Sequence, residues 1–344
     1  MQMPTLIAAA ITGLSGVRTG TVQLAIWEKL LILCKCCACR YHRCMKHRAS
    51  STVQLPPGSW TTVLDCLCDH FAHISRAQWL SRIERALVLN EQGMPVTTLT
   101  PYKAGLTIRY FREVSNEKPI PFVENILYSD AHIIVVDKPH FLPVTPSGSY
   151  VEQTLLARVI ERFDNPDLVP LHRIDRGTAG LVMFSANPDT RDHYHALFRD
   201  RSMTKQYEAI APALPQHRFP LVHRSRLERG EPFFRMKEVA GMPNSETHVD
   251  VLERGTVNWR YALGPVTGKQ HQLRVHMAAL GAGILNDPFY PTLTSAADDD
   301  DDFARPLQLL AASLAFVDPL SGHQMRFASE LRLQALTESQ SAAR

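Results

Sequence analysis

The stretch that most constrains this chain is Leu171-His172-Arg173-Ile174-Asp175-Arg176-Gly177-Thr178-Ala179-Gly180-Leu181, with Leu168-Val169-Pro170 before it and Val182-Met183-Phe184 after it. Two glycines three residues apart, leading into β-branched and aromatic residues, predict a tight irregular loop that feeds a strand. On that loop a single carboxylate, Asp175, stands between Arg173 and Arg176. Guanidinium groups stay charged at neutral pH, so this setting keeps the aspartate ionised and makes the loop attractive to phosphate. A turn aspartate accepting backbone N–H bonds uses the same residue types. The loop alone does not separate the two readings.

At 344 residues the chain has room for two domains with substantial cores. The net charge of +3 is unevenly placed: residues 1–50 carry seven Lys/Arg against Glu28 alone, and five acids of the remainder form the aspartate run 298–302. Without that run the body is slightly basic, which admits nucleic acid as a partner. All seven cysteines lie between Cys34 and Cys68. A secreted disulfide framework would spread its bridges through the fold, so a reducing, cytoplasmic setting is expected. No apolar run approaches the roughly 20 residues that cross a bilayer, and no membrane association is expected. The cluster Cys34-Lys35-Cys36-Cys37-Ala38-Cys39, with Cys44, is crowded and lacks a second CxxC pair, so no metal site is expected there. Residues 1–50 read as a basic, Cys-rich leader that is loosely structured or not natural, with Met45 as an alternative initiator.

After the turn-rich Pro56-Pro57-Gly58-Ser59, residues 56–113 read as a compact unit. Val63, Leu64, Leu67 and Phe71 recur at helical spacing, as do Trp79, Leu80, Ile83 and Leu87 behind Ser75 as N-cap. Short strands follow at 86–90 and 105–110. Arg76, Arg82 and Arg85 on the second helix suggest a basic face for RNA, although a solvated helix face has the same composition. Residues 114–122 read as a linker, and a second domain spans 123–335. It opens with buried strands at 126–128 and 132–136 and a helix at 151–163. A strand at 181–185, a helix from Asn187-Pro188-Asp189 to Arg201 and a strand at 205–210 come next. The polar section 219–247 resists placement. A strand at 259–266, a helix from His271 to Leu280 capped by Gly281, and strands at 307–316 and 323–327 complete the domain.

Three constellations could carry chemistry: Asp175 on its loop, Tyr207 on the face Lys205-x-Tyr207-x-Ala209 of a strand, and Lys269-Gln270-His271-Gln272-Leu273-Arg274-Val275-His276. Gln270 and Arg274 are four apart and share a helix face. His271 and His276 are five apart, which does not set two imidazoles on one face for zinc, so they read as satisfied or phosphate-contacting histidines. No Walker loop and no Gly-x-Ser-x-Gly is present.

His172-Arg173-Ile174-Asp175-x-x-Thr178-Ala179-Gly180-Leu181 resembles the signature loop of the RluA-type pseudouridine synthases. Further matches to that family follow in order: Val136-Asp137-Lys138-Pro139, Lys205-x-Tyr207-x-Ala209, and Gly268-Lys269-x-His271-Gln272-Leu273-Arg274-Val275-His276. Two more are Ile284-Leu285-x-Asp287-Pro288-x-Tyr290 and Leu309-x-Ala311-x-x-Leu314-x-Phe316. Together they cover about residues 120–330. Ala179 stands where serine is common, Leu310 where histidine is usual, and the aspartate run is unusual. Residues 75–108 resemble, in degenerate form, the small RNA-binding domain named after ribosomal small-subunit protein four, through Ser75-Arg76-x-x-Trp79-x-x-x-Ile83, Val88-x-Asn90 and Gly105-x-x-Ile108.

The resemblance implies an α+β catalytic domain, a mixed and largely antiparallel sheet flanked by helices, behind a small α+β RNA-binding domain. It implies a monomeric isomerase acting on uridine in structured RNA, ribosomal or transfer, without a cofactor. Asp175 matches the family's nucleophile or base, Arg274 the arginine that salt-bridges it, and Tyr207 the tyrosine packed on the target base. Arg173 matches the residue that fills the space left by a flipped base. Lys205, Lys269, His271, Gln272 and Leu273, with Arg76 and Arg82 in the small domain, are the expected RNA contacts; Leu273 or Val275 would pack on the base. Two alternatives stay open: an RNA-binding or ribosome-assembly protein that has lost catalysis, and a hydrolase using the same carboxylate.

Overall fold

Two helices packed on a three-stranded sheet open the described part of the chain. The computed structural model describes residues 50–114, 117–294, 302–334 and 336. The leader up to residue 49 with its cysteine cluster and Met45, linker residues 115 and 116, and the aspartate run before Asp302 lie outside the described residues. Strand β1 (Ser50–Gln54), helices α1 (Val63–His70) and α2 (Arg76–Glu84), and strands β2 (Val88–Leu89) and β3 (Thr107–Phe111) form the unit, with sheet order β1-β3-β2. Both helices begin in a capping box, Thr62 with Asp65 and Ser75 with Gln78, which satisfies the free N–H groups of the first turn. Trp79, Leu64, Leu67, Val88 and Ile108 form its core.

Two expectations change here. Strand β1 precedes the Pro56-Pro57-Gly58 turn and pairs with β3 from Ser50↔Phe111 to Gln54↔Thr107, so the unit reaches back to residue 50 instead of starting at 56. The turn joins β1 to α1 and is no boundary. The expected strand at 86–90 shrinks to Val88–Leu89 because Ala86 sits at φ 53°, off the extended region.

The larger sheet has eleven strands. Its elements, in chain order, are β4 (Asn125–Ser129), β5 (Ile133–Lys138), α3 (Leu155–Phe163), β6 (Val169–Pro170), β7 (Ala179–Ser185), α4 (Arg191–Arg199) and β8 (Thr204–Pro212). Then come β9 (Leu221–Arg229), β10 (Met236–Val239), β11 (Ser245–Arg254), β12 (Asn258–Pro265), α5 (Gln272–Ala279), β13 (Leu309–Val317) and β14 (Gln324–Ala328). The strand order is β10-β9-β11-β12-β8-β13-β7-β5-β4, with β14 on β13 and β6 on β7. Every pairing is antiparallel except β13 with β7, which runs parallel through Leu310↔Ala179 and Ala311↔Gly180. The fold is therefore α+β with a mixed, largely antiparallel sheet.

Strands β5 and β7 are buried along their whole length, since alternate residues face two cores. Ile134, Val136, Val182 and Phe184 pack against α3, while Ile133, Val135, Leu181 and Met183 pack against Tyr194 and Leu197 of α4. On the other half of the sheet Ala209, Val249, Tyr261 and Leu263 bury Leu273 and Met277 of α5. Strand β4 is an edge strand and only half-buried, not buried as its apolar run suggests. The unplaced section 219–247 is the hairpin β9–β10 and the start of β11. Arg224 pairs with Glu246 at 2.8 Å across β9 and β11, and such charged faces erase the apolar alternation that marks a strand.

Candidate active site

The parallel seam between β13 and β7 places the Asp175 loop at the middle of the sheet, because the loop ends where β7 begins at Ala179. Gly180 makes the seam possible: at φ 108° it lies so close to β13 that a Cβ would come within 2.3 Å of the Ala311 carbonyl oxygen. Four bonds then shape the loop. The Met183 N–H donates to His172 Nε2 at 3.1 Å, and the Thr178 N–H donates to the Asp175 carbonyl at 3.1 Å. His140 Nδ1 donates to the Gly177 carbonyl at 2.7 Å, and Lys138 Nζ donates to the Arg176 carbonyl at 3.2 Å. The His172 ring stacks on Phe198 with centroids 4.8 Å apart. Burial drives its pKa down to about 3, helped by Lys205, so it remains a neutral acceptor.

Arg274 projects from α5 and reaches back across 99 residues to donate Nη1–H to Asp175 Oδ2 at 3.0 Å. Its other two donors form a fork on Asp287, Nε to Oδ2 at 2.7 Å and Nη2 to Oδ1 at 2.6 Å. Asp287 is fixed in turn by the Phe289 and Tyr290 N–H groups. The guanidinium also lies 4.9 Å from the Phe289 ring centroid and 5.2 Å from that of Tyr290. Arg274 is 4% exposed, so these charge-assisted bonds act with little competition from water. His271 brings Nε2 to 3.9 Å from Asp175 Oδ2 while Nδ1 bonds the Tyr290 hydroxyl at 2.9 Å.

Burial by itself would raise the Asp175 carboxyl. The Arg274 guanidinium, then His271 and Lys138, outweigh it and hold the group below the ordinary carboxylate range. The same burial, with the Asp175 charge, pushes the Tyr207 phenol upward, so Tyr207 stays protonated beside an ionised aspartate. An anionic oxygen and a neutral phenol facing one cleft can attack an electrophilic carbon and handle a proton.

A cleft of about 1330 Å³ brings together Arg173, Asp175, Lys205, Tyr207, Lys269, His271, Gln272, Leu273 and Arg274. Arg173 and Lys269 are exposed on its wall. Burial, and Arg201 nearby, lowers the Lys205 pKa. Leu273 lines the cleft, whereas Val275 packs with Leu227 and Tyr290.

Two of the expected RNA contacts, Gln272 and Arg82, are buried. Gln272 is 4% exposed and its amide is used internally, accepting from Thr267 and Lys269 and donating to Glu246 and Thr247. It shapes the turn that carries Lys269. Arg82 is 7% exposed, with its guanidinium 5.0 Å from the Trp79 ring centroid, so it lies under the small unit's surface. Arg76 remains exposed, ion-paired with Asp65 at 2.8 Å. Gln270 precedes α5 and does not share a helical face with Arg274. His276 is fully buried and bonded to Ser245 and Thr247, which fits the satisfied reading.

Lys138, His140, Asp287 and Tyr290 complete the site and were not singled out for it. The signal lay in Val136-Asp137-Lys138-Pro139 and Asp287-Pro288-x-Tyr290: a lysine closing an apolar strand and an aspartate ahead of a proline. Lys138 is fully buried and bonds the Pro139 and Arg176 carbonyls; burial lowers its pKa to about 7.

A family model described as RNA pseudouridylate synthase matches residues 132–279. The dual-specificity RNA pseudouridine synthase RluA of Salmonella typhi is 34% identical over 205 residues, 59% of this chain and 90% of that protein. An uncharacterized RNA pseudouridine synthase of Synechocystis is 28% identical over 232 residues, 66% of this chain and 79% of the relative. Among solved structures, human RNA pseudouridylate synthase domain containing 1 is similar at a TM-score of 0.49 and 24% identity, covering 60% of this chain and 83% of that one.

Proposed function

The chain belongs to the RluA-type RNA pseudouridine synthases, and from that premise we propose that it isomerises specific uridines of structured ribosomal or transfer RNA, with Asp175 as the nucleophile or base. The observation that carries this reading is the ionised Asp175 carboxylate, held 3.0 Å from Arg274 in the cleft. The reaction breaks the bond from ribose C1′ to uracil N1 and forms one from C1′ to C5. The proton lost from C5 is matched by one gained at N1, so atoms and electrons balance within the uridine. Nothing is oxidised or reduced, and no cofactor is required.

In this proposal Asp175 attacks or deprotonates while Arg274 fixes its direction. Leu273 packs on the uracil, and Tyr207, a neutral phenol, takes part in moving the C5 proton. The uridine must leave its stack to arrive, at a cost of a few kcal/mol, and Arg173 fills the vacated space. Lys205, Lys269 and His271 hold the flanking backbone. The small unit, with its helix pair and three strands, serves as a second RNA contact. The reading also takes the enzyme to be a cytoplasmic monomer; the thiols of Cys66 and Cys68 are both free. Among the described residues no helix is long and apolar enough to cross a membrane.

RNA labelled with tritium at uracil C5 tests the reaction directly. Incubation of ribosomal and transfer RNA with the protein should release tritium to water and leave the strands uncleaved and free of abasic sites. Abasic RNA with tritium retained on free uracil would mean hydrolysis.

A further inference from the structure

Phe141 adopts φ 66°, inside the left-handed region that bulky residues rarely enter. Such an outlier costs free energy and persists only where its surroundings hold it, and it clusters at functional sites. The preceding residue supplies the restraint, since His140 donates to the Gly177 carbonyl of the Asp175 loop at 2.7 Å. The twist at Phe141 turns a phenyl ring into the cleft wall beside that loop.

The ring does not stand alone. Phe122 lies nearly parallel to it, 20° between planes and centroids 5.9 Å apart. Phe303 stands edge-on to both, at 5.1 Å from Phe141 and 5.4 Å from Phe122. Phe303 is still 38% exposed, and its neighbours Asp302 and Arg305 line the same cleft. Phe141 in the cleft wall, with two further phenyl rings packed about it, offers a surface able to stack a base, and an aromatic face accepts any base by stacking. A uridine drawn out of its stack leaves its neighbouring base with one uncovered face.

We propose that Phe141, backed by Phe122 and flanked by Phe303, is a stacking platform for the base next to the target uridine. The platform rests on the synthase reading above and adds a substrate feature to it. Purines present a larger face than pyrimidines, so the enzyme prefers uridines with a purine neighbour on the platform side.

The test uses Phe141→Gly, which suits the backbone at φ 66°, and Phe303→Ala, which leaves the backbone alone. Tritium release is measured on synthetic stem–loops carrying a target uridine tritiated at C5, with adenosine or an abasic residue on its 5′ or its 3′ side. On adenosine-flanked RNA both variants are expected to raise KM roughly tenfold, with little loss in kcat, as removal of a stacked base contact does. With the abasic residue on the platform side, wild type and variants should converge. Equal KM for all three enzymes on adenosine-flanked RNA, or an equal deficit on abasic RNA, would overturn the platform. A wild type that releases no tritium from any RNA would instead overturn the synthase reading, and the platform with it.

Discussion

Arg274 divides three donors between two carboxylates, and the division sets what each substitution should do. Asp287 takes the fork and is fully buried, while Asp175 takes one bond and keeps 29% of its side chain open to the cleft. Arg274→Met would leave Asp287 as an unpaired buried charge, so a loss of about 3–5 kcal/mol in stability is expected from urea unfolding. Arg274→Lys keeps a cation but not the fork. Because the Asp175 carboxyl is held below its ordinary range, the active ionised form persists as pH falls and is lost only as pH passes down through that lowered value. With Arg274→Lys the acidic limb of kcat/KM is expected to move to higher pH; an unmoved limb would show that Arg274 does not set this ionisation.

Lys138 gives a second pH signature, in stability and at higher pH. Its ammonium is ordinary in the unfolded chain, at 10.5, and falls to about 7 in the fold. Between those values the unfolded chain binds more protons, so stability should rise with pH by up to about 1.4 kcal/mol per unit, and the full penalty should remain below pH 7. Lys138→Met should flatten the rise in urea unfolding measured at pH 7 and pH 9. The partnership of Asp175 with Arg274 was legible in sequence through ordered motifs. The work of Lys138 was not, because it bonds two backbone carbonyls and no carboxylate. Arg82 misled for a related reason: spacing marks a helix position but not whether an arginine turns outward or lies over Trp79.

Elements came through the sequence where burial imposed a period and were lost where charge hid it. Strands β5 and β7 are apolar on both faces, and Ser75 caps α2 where a helix start is expected. Helix α4 begins at Arg191 and not at Asn187-Pro188-Asp189, since the Asn187 side chain accepts the Asp189 N–H at 2.9 Å and closes a turn first. Helix α3 starts at Leu155, behind Thr154, whose hydroxyl accepts the Ala157 N–H. The β9–β10 hairpin stayed hidden behind its arginines and glutamates. At this scale Gly180 is the sharpest test of the β7–β13 seam. Gly180→Ala would set a Cβ 2.3 Å from the Ala311 carbonyl oxygen on a φ of 108°. A destabilisation of about 3 kcal/mol or more is expected, with activity falling in step; a midpoint within error of wild type would mean that the two strands are not so closely seated.

For the whole molecule, RNA affinity should follow the cations that face the cleft. Lys269→Ala is expected to reduce the slope of log affinity against log salt by about 0.7–0.9, the effect of one lost phosphate contact. Arg82→Met, at a buried position, should leave that slope unchanged; a reduced slope would return Arg82 to the RNA contacts. The central claim is that Asp175 makes this chain a synthase of defined sites in ribosomal or transfer RNA. Pseudouridine maps of both RNA classes test it when taken from cells with the wild-type protein, without it, and with Asp175→Asn. The same specific sites should vanish in the last two. Identical maps in all three would contradict the claim.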